Sequence, residues 1–133
     1  MRYLLDTNAC SAYLNRRPSP IKSRIAVARP GDIVLCDVVK AELLYGAYKS
    51  LQVAANLALL ERFFRVFVSY PFDGRAADVY GRERARLEAA GTPIGPYDLL
   101  IAAIALANDL IVVTHNTREF SRVAGLSFED WQV

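Results

Sequence analysis

Three polar residues stand where apolar runs stop or start, and a fourth falls inside an apolar stripe. Asp6 follows Tyr3-Leu4-Leu5, and Asp98 precedes the apolar run from Leu99 to Ala107. Asn116 comes after Leu110-Ile111-Val112-Val113, behind Thr114 and His115. Glu42 lies in a helical stripe with Val39, Leu43, Gly46 and Ala47. Asp6 admits two readings: the N-cap of the next helix or a metal ligand. Glu42 needs a partner, because an unpaired buried carboxylate costs several kcal/mol. That partner is either an Arg or a cation held between several acids. Hard oxygen ligands of this kind suit Mg²⁺ or Mn²⁺. A divalent ion amid acids lowers the pKa of bound water and neutralises charge on a phosphoryl group. That is the equipment for phosphodiester hydrolysis.

Other chemistries find less in this sequence. His115 is the only histidine, so any histidine-based triad must use it, and a hydrogen-bonding role in a loop is the plainer expectation. There is no G-x-S-x-G elbow, no H-E-x-x-H, no G-x-G-x-x-G and no phosphate-binding loop with Gly-Lys-Ser/Thr. Gly46 and Gly81 read as close-packing helix glycines.

For the four residues to meet, strands must deliver them to one edge. Tyr3-Leu4-Leu5 reads as a strand and residues 7–14 as a first helix, broken at Pro18. A second helix covers 20–28, and Arg29-Pro30-Gly31-Asp32 is a turn. A buried strand, 33–36, follows, with Asp37 as the cap of a third helix over 38–50. A fourth helix spans 51–64, and Val66-Phe67-Val68 is a third strand. The fifth helix runs from 75 to 90 and stops at Gly91. Pro96 suits the first position of a helix, which puts Asp98 in the first turn, where the helix dipole favours an anion. That helix is apolar all round and so belongs in the core. Residues 110–113 form the last clear strand, and the tail packs Phe120, Leu126, Phe128 and Trp131 on the outside of the sheet. Strands alternating with helices predict an α/β fold with three layers, α/β/α, and a mostly parallel sheet. Ligands of such sheets bind at the carboxyl ends of the strands.

The 133 residues, 53% of them hydrophobic, predict one domain over 1–133 with a real core. No apolar run reaches the roughly 20 residues of a membrane span, and no signal peptide is read at the N-terminus. Cys10 and Cys36 make no metal motif. They are either one bridge or two free thiols, and two free thiols in a reducing cytoplasm is the expectation. The net charge is +2, with 13 Arg against 3 Lys. Arg makes forked contacts to phosphate, which hints at an anionic partner. The run Arg82-Glu83-Arg84-Ala85-Arg86 is a solvated face or a phosphate-facing patch.

Four stretches in order carry a family resemblance: Leu4-Leu5-Asp6-Thr7-Asn8, Lys40-Ala41-Glu42-Leu43-Leu44-Tyr45-Gly46-Ala47, Ile94-Gly95-Pro96-Tyr97-Asp98-Leu99-Leu100-Ile101-Ala102 and Val113-Thr114-His115-Asn116-Thr117-Arg118-Glu119-Phe120. Together they resemble the signature of PIN-domain ribonucleases, and within those the VapC toxins of type II toxin–antitoxin modules. The resemblance implies a PIN-like fold and a Mg²⁺- or Mn²⁺-dependent endoribonuclease. It makes Asp6, Glu42 and Asp98 the metal ligands. Asn116 takes the fourth catalytic position, where many PIN domains have Asp; an amide keeps an oxygen but brings no charge. Asn8 and Thr114 would orient the acids, and Arg82, Arg84, Arg86 and Arg118 are candidates for RNA contact. The resemblance further implies a homodimer, held inactive by a cognate VapB-type antitoxin in a heterotetramer or larger assembly. Operator DNA would be bound only through the antitoxin. The Gly91–Asp98 and Asn116–Arg122 runs look like the subgroup associated with cleavage of initiator tRNA in its anticodon loop. Two rivals remain: a catalytically weak PIN-fold binding module that acts only through its partner, and a flap-type DNA nuclease, for which the chain lacks a helical arch and further acids.

Overall fold

A computed structural model describes residues 1–133. The chain folds into a five-stranded sheet with helices on both faces, the three-layer α/β/α arrangement. The strands are β1 (Tyr3–Leu5), β2 (Ile33–Cys36), β3 (Ser69–Tyr70), β4 (Ile111–Val113) and β5 (Phe128–Glu129). Their order is β3-β2-β1-β4-β5, and every pairing is parallel. The chain builds outward from β1 to β2 and β3, then returns to β1 and builds the other way through β4 and β5. The reversal falls between β1 and β4, and a crevice at the carboxyl ends of strands belongs at such a point.

The helices are α1 (Thr7–Leu14), α2 (Pro20–Val27), α3 (Asp37–Tyr48), α4 (Val53–Val66), α5 (Gly74–Ala89), α6 (Pro96–Ala107) and the short α7 (Thr117–Phe120). α1 packs on α2 and α3, α3 on α4, and α5 on α6. As its sequence requires, α6 is submerged: Leu99 and every residue from Ile101 to Ala105 are buried. The core joins it to Leu4, Leu5, Val34, Leu35, Val112 and Val113 of the central strands. No helix is long and apolar enough to cross a membrane. Cys10 and Cys36 are free and buried. Burial pushes both thiols up, Cys36 to about 11, so neither is a nucleophile at neutral pH.

Four expectations need correction. Val66 ends α4 rather than opening a strand. Pairing begins two residues later, where the Leu35 amide donates to the Val68 carbonyl at 2.9 Å, so β3 is Ser69–Tyr70. α4 starts at Val53, leaving Leu51 exposed in the connection. Asp37 is the first residue of α3 and not its cap; its carboxylate accepts from Ser69 Oγ at 2.6 Å, tying α3 to β3. The tail does not lie outside the sheet. It supplies α7 and then β5, which extends the sheet beside β4. Phe120 and Trp131 are buried as expected, while Leu126 and Phe128 are half-buried.

Candidate active site

Asp6 is the residue after β1, and its amide continues the sheet by donating to the Val113 carbonyl at 3.1 Å. Its side chain is 2% exposed, and Oδ1 accepts from the Ala9 amide at 2.8 Å. The two readings of Asp6 are therefore not exclusive: it caps α1 and it sits at the sheet's reversal point. Burial pushes its carboxyl up, against the Thr114 hydroxyl and the Ala9 amide, with Glu42 and Asp130 adding repulsion.

α3 carries Glu42 to the same edge. Its partner is not an Arg. Thr7, the first residue of α1, donates its hydroxyl to Glu42 Oε1 at 2.6 Å. α6 begins at Pro96, and Asp98 stands in its first turn, as the pattern predicted. Burial and the adjoining Glu119 carboxylate push Asp98 up to about 7, with Asp6 adding repulsion and only the Asn116 amide opposing.

Asn116 is the hub of the far side. Its Nδ2 donates to Asp98 Oδ2 at 3.0 Å and to Glu119 Oε2 at 2.7 Å. Its backbone amide donates to Thr114 Oγ1 at 2.9 Å, and Thr114 is fully buried beneath it. Asn116 thus positions two acids by its amide nitrogen. Glu119 was not singled out by the sequence reading. It is held below the usual carboxylate range, chiefly by the Asn116 amide, so it stays ionised where Asp98 does not. One signal pointed to it: Asn116-x-x-Glu119 has the spacing of a capping box, which places the two side chains on one turn.

Other expected residues lie apart from this cluster. Asn8 is exposed on the first turn of α1, and its side chain is tied to none of the acids. On α5, Arg82 pairs with Asp78 at 3.2 Å and Arg84 with Glu88 at 2.9 Å. Arg86 grips both oxygens of Glu83 at 2.8 and 3.0 Å and donates to the Arg122 carbonyl at 2.8 Å. Arg86 is therefore a structural clasp. Arg118 is exposed on α7. His115 is bound to Asp130 at 2.9 Å, the loop role expected of it.

The donor chemistry of the cluster fits a hard divalent cation: carboxylate oxygens from Asp6, Glu42 and Asp98, with a fourth acid, Glu119, at the rim. No three acidic, histidine or cysteine side chains stand close enough together to ligate one ion directly. Each acid is turned to a neutral donor: the Ala9 amide for Asp6, Thr7 for Glu42, and Asn116 for Asp98 and Glu119.

A family model described as PIN domain matches residues 3–126. The chain is 40% identical over 131 residues, 98% of each chain, to a tRNA(fMet)-specific endonuclease VapC of Shigella flexneri. It is 36% identical over 132 residues, again 98% of each, to ribonuclease VapC2 of Rickettsia felis. Among solved structures, a DNA-bound VapBC from Salmonella typhimurium matches with a TM-score of 0.92 at 39% identity, covering 98% of both chains. The chain belongs to the PIN-domain family and, within it, to the VapC ribonucleases.

Proposed function

We propose that this chain is the toxin of a VapBC-type module: a cytoplasmic, Mg²⁺- or Mn²⁺-dependent endoribonuclease that cuts initiator tRNA in the anticodon loop. A VapB-type antitoxin restrains its homodimer, and the complex meets operator DNA through that antitoxin. The observation that carries the activity is the burial of Asp6 at the reversal point of the sheet, with Glu42 and Asp98 repelling it and Asp98 raised to about 7. A fold keeps such an arrangement at a cost in stability, and a bound cation repays it. The substrate reading rests on whole-length similarity to a tRNA(fMet)-specific endonuclease.

Asp6, Glu42 and Asp98 would hold the ion. When bound, it supplies charge neutralisation at the phosphate and a more acidic water. The chain's own residues do the rest. The Ala9 amide fixes Asp6, Thr7 turns Glu42, and Asn116 keeps Asp98 and Glu119 on one side of the crevice. Glu119, ionised and half-buried, accepts a proton at its carboxylate from the water that attacks the phosphorus, and the departing 3′-oxygen takes its proton from solvent. Attack by water leaves a 5′-phosphate and a 3′-hydroxyl.

The test is induced expression of wild type and Asp6→Asn in bacteria, with new RNA 5′ ends mapped. Asparagine preserves the cap, so the variant folds and loses cleavage. One sharp, Asp6-dependent cut in initiator tRNA is the expected result. Ends bearing 2′,3′-cyclic phosphate partners would overturn attack by water. The separation of the three acids favours one other reading, a binding module acting through its partner. Toxicity that survives in Asp6→Asn would select it.

A further inference from the structure

Beside the acidic crevice lies an open groove of about 570 Å³ between α3 and the start of α6. It shares Glu42 and Thr7 with the candidate active site and continues along α3 through Tyr45, Gly46 and Lys49 to Tyr97 of α6. Glu42, Tyr45, Gly46 and Lys49 are spaced i, i+3, i+4 and i+7, so they form one helix face. Tyr45 is 65% and Tyr97 57% exposed. Exposed rings of that size have a use on a protein surface, since burying them against a partner is favourable. Tyr97 stands beside Asp98, directly after Pro96, so its backbone is fixed with respect to the crevice. Lys49 Nζ lies 4.9 Å from the centre of the Tyr45 ring. Gly46 adds no side chain, and a Cβ built there meets nothing within 4 Å. The close packing expected at Gly46 is therefore not its role; it lines the groove with bare backbone, where a side chain would have room to project.

We propose that Tyr45, Lys49 and Tyr97 form a nucleobase subsite that stacks the base next to the scissile phosphate and so selects the cut position. The inference rests on the ribonuclease reading above. Phenol rings present π-faces to a base, and such stacking tolerates any sequence while holding register. Lys49 supplies the cation that the phosphate backbone needs at the end of a crevice otherwise lined by carboxylates. The volume lies within the range of small-ligand pockets, ~300–1,000 Å³, enough for one unstacked nucleotide of a loop, the form in which RNA sequence is read. A protein segment could also cover exposed tyrosines. The groove's continuity with Glu42 favours RNA, because a base seated there places its own phosphate at the acids.

The test has two independent arms. In the first, steady-state cleavage of initiator tRNA is compared for wild type, Tyr45→Ala, Tyr97→Ala, Tyr97→Phe and Gly46→Leu, each checked for folding by circular dichroism. The alanine variants should lose about 5- to 150-fold in kcat/KM, the worth of a ~1–3 kcal/mol base stack. The loss should fall mainly on KM, and minor cut sites should appear. Tyr97→Phe, which keeps the ring, should recover the activity. Gly46→Leu should fold and yet plug the groove, with a loss of similar size. In the second arm, an anticodon stem-loop carrying 2-aminopurine beside the cut site is bound to Asp6→Asn protein. Its fluorescence should be quenched, and quenching should vanish when Tyr45→Ala or Tyr97→Ala is added. Wild-type kcat/KM and an unchanged cut in both alanine variants would overturn the subsite, and weakened antitoxin binding in those variants would reassign the groove to protein. If wild type cleaves no RNA, the nuclease reading fails on its own, and the quenching arm still decides whether a base sits between these rings.

Discussion

At the scale of single residues, the crevice is a place where charge is held against its preference. Asp98 is raised from its ordinary 3.8 to about 7, so between those values the folded chain keeps a proton that the unfolded chain has lost. The stability this contributes is complete below about pH 4 and disappears as pH rises through 7. Metal-free protein should therefore melt lower at pH 8 than at pH 5 on account of this group. Asp98→Asn, which mimics the protonated acid, should remove that part of the slope and melt ~2–4 °C higher at pH 8. Differential scanning calorimetry of both proteins at the two pH values checks it; a variant that melts lower at pH 8 would make Asp98 a structural partner instead. Asn116→Asp should act in the opposite sense. It removes the donor shared by Asp98 and Glu119 and adds a third carboxylate. The metal-free fold should lose ~1–3 kcal/mol, and millimolar Mg²⁺ should restore part of the loss in a thermal shift assay. Asp6, Glu42 and Asp98 could be read from the sequence because each interrupts an apolar pattern. Glu119 stood out less, because it lies in a polar run where an acid is unremarkable; its capping-box spacing from Asn116 sets it on the same turn, but only the fold brings that turn against Asp98.

Among the elements, α7 is the least autonomous and the most closely braced. At four residues it is too short to hold itself together, yet Asn116 caps it and Glu119 lies in its single turn. A clasp from α5 holds the chain just beyond it. Glu83, nearly buried, takes two bonds from Arg86 and one from the Ala124 amide at 2.9 Å. Arg86 also reaches the Arg122 carbonyl, and Arg122 donates to the Pro93 carbonyl at 2.8 Å, in the loop that leads into α6. Glu83→Ala leaves the Ala124 amide without its partner and Arg86 with only the Arg122 carbonyl, and should cost ~1–3 kcal/mol in urea unfolding. The Arg86 contact also holds the Glu83 carboxyl below the usual range. The stability it contributes is present above that carboxyl's ordinary pKa and is lost on acidification. The basic run on α5 thus has two parts, exposed pairs at Arg82 and Arg84 and a brace at Arg86; from the sequence the brace was not legible, since it depends on a backbone amide 41 residues away. Helices with long apolar stripes and proline or glycine punctuation were readable to within a residue or two. β3 and β5 were not, because two-residue strands carry no periodicity and exist only by pairing with β2 and β4.

For the molecule as a whole, the sheet order matters more than any single contact. β1 lies in the middle of five strands, flanked by one partner about 30 residues away and another more than 100 away. The tail locks this arrangement. Trp131 is 3% exposed, its ring lies 4.9 Å from that of Tyr3, and the Arg24 guanidinium stacks on it at 4.8 Å. Trp131→Ala should cost ~3–5 kcal/mol by chemical denaturation followed by circular dichroism, and should loosen both edges of β4 together. The alternation of strands and helices already announced the three layers; the reversal between β1 and β4 was implied by it but needed the pairing to be seen.

That reversal governs when the nuclease comes into being. A growing chain folds from its N-terminus as it is made, and Asp6 is among the first residues out. Yet Asp6 shares an edge with Asp98 and Asn116 only once β4 has closed against β1, after about five-sixths of the chain has been synthesised. A product of interrupted translation that ends before β4 carries Asp6 and Glu42 but no assembled crevice. Fragments of interrupted synthesis that end before β4 should therefore lack nuclease activity, which should arise only with nearly finished copies.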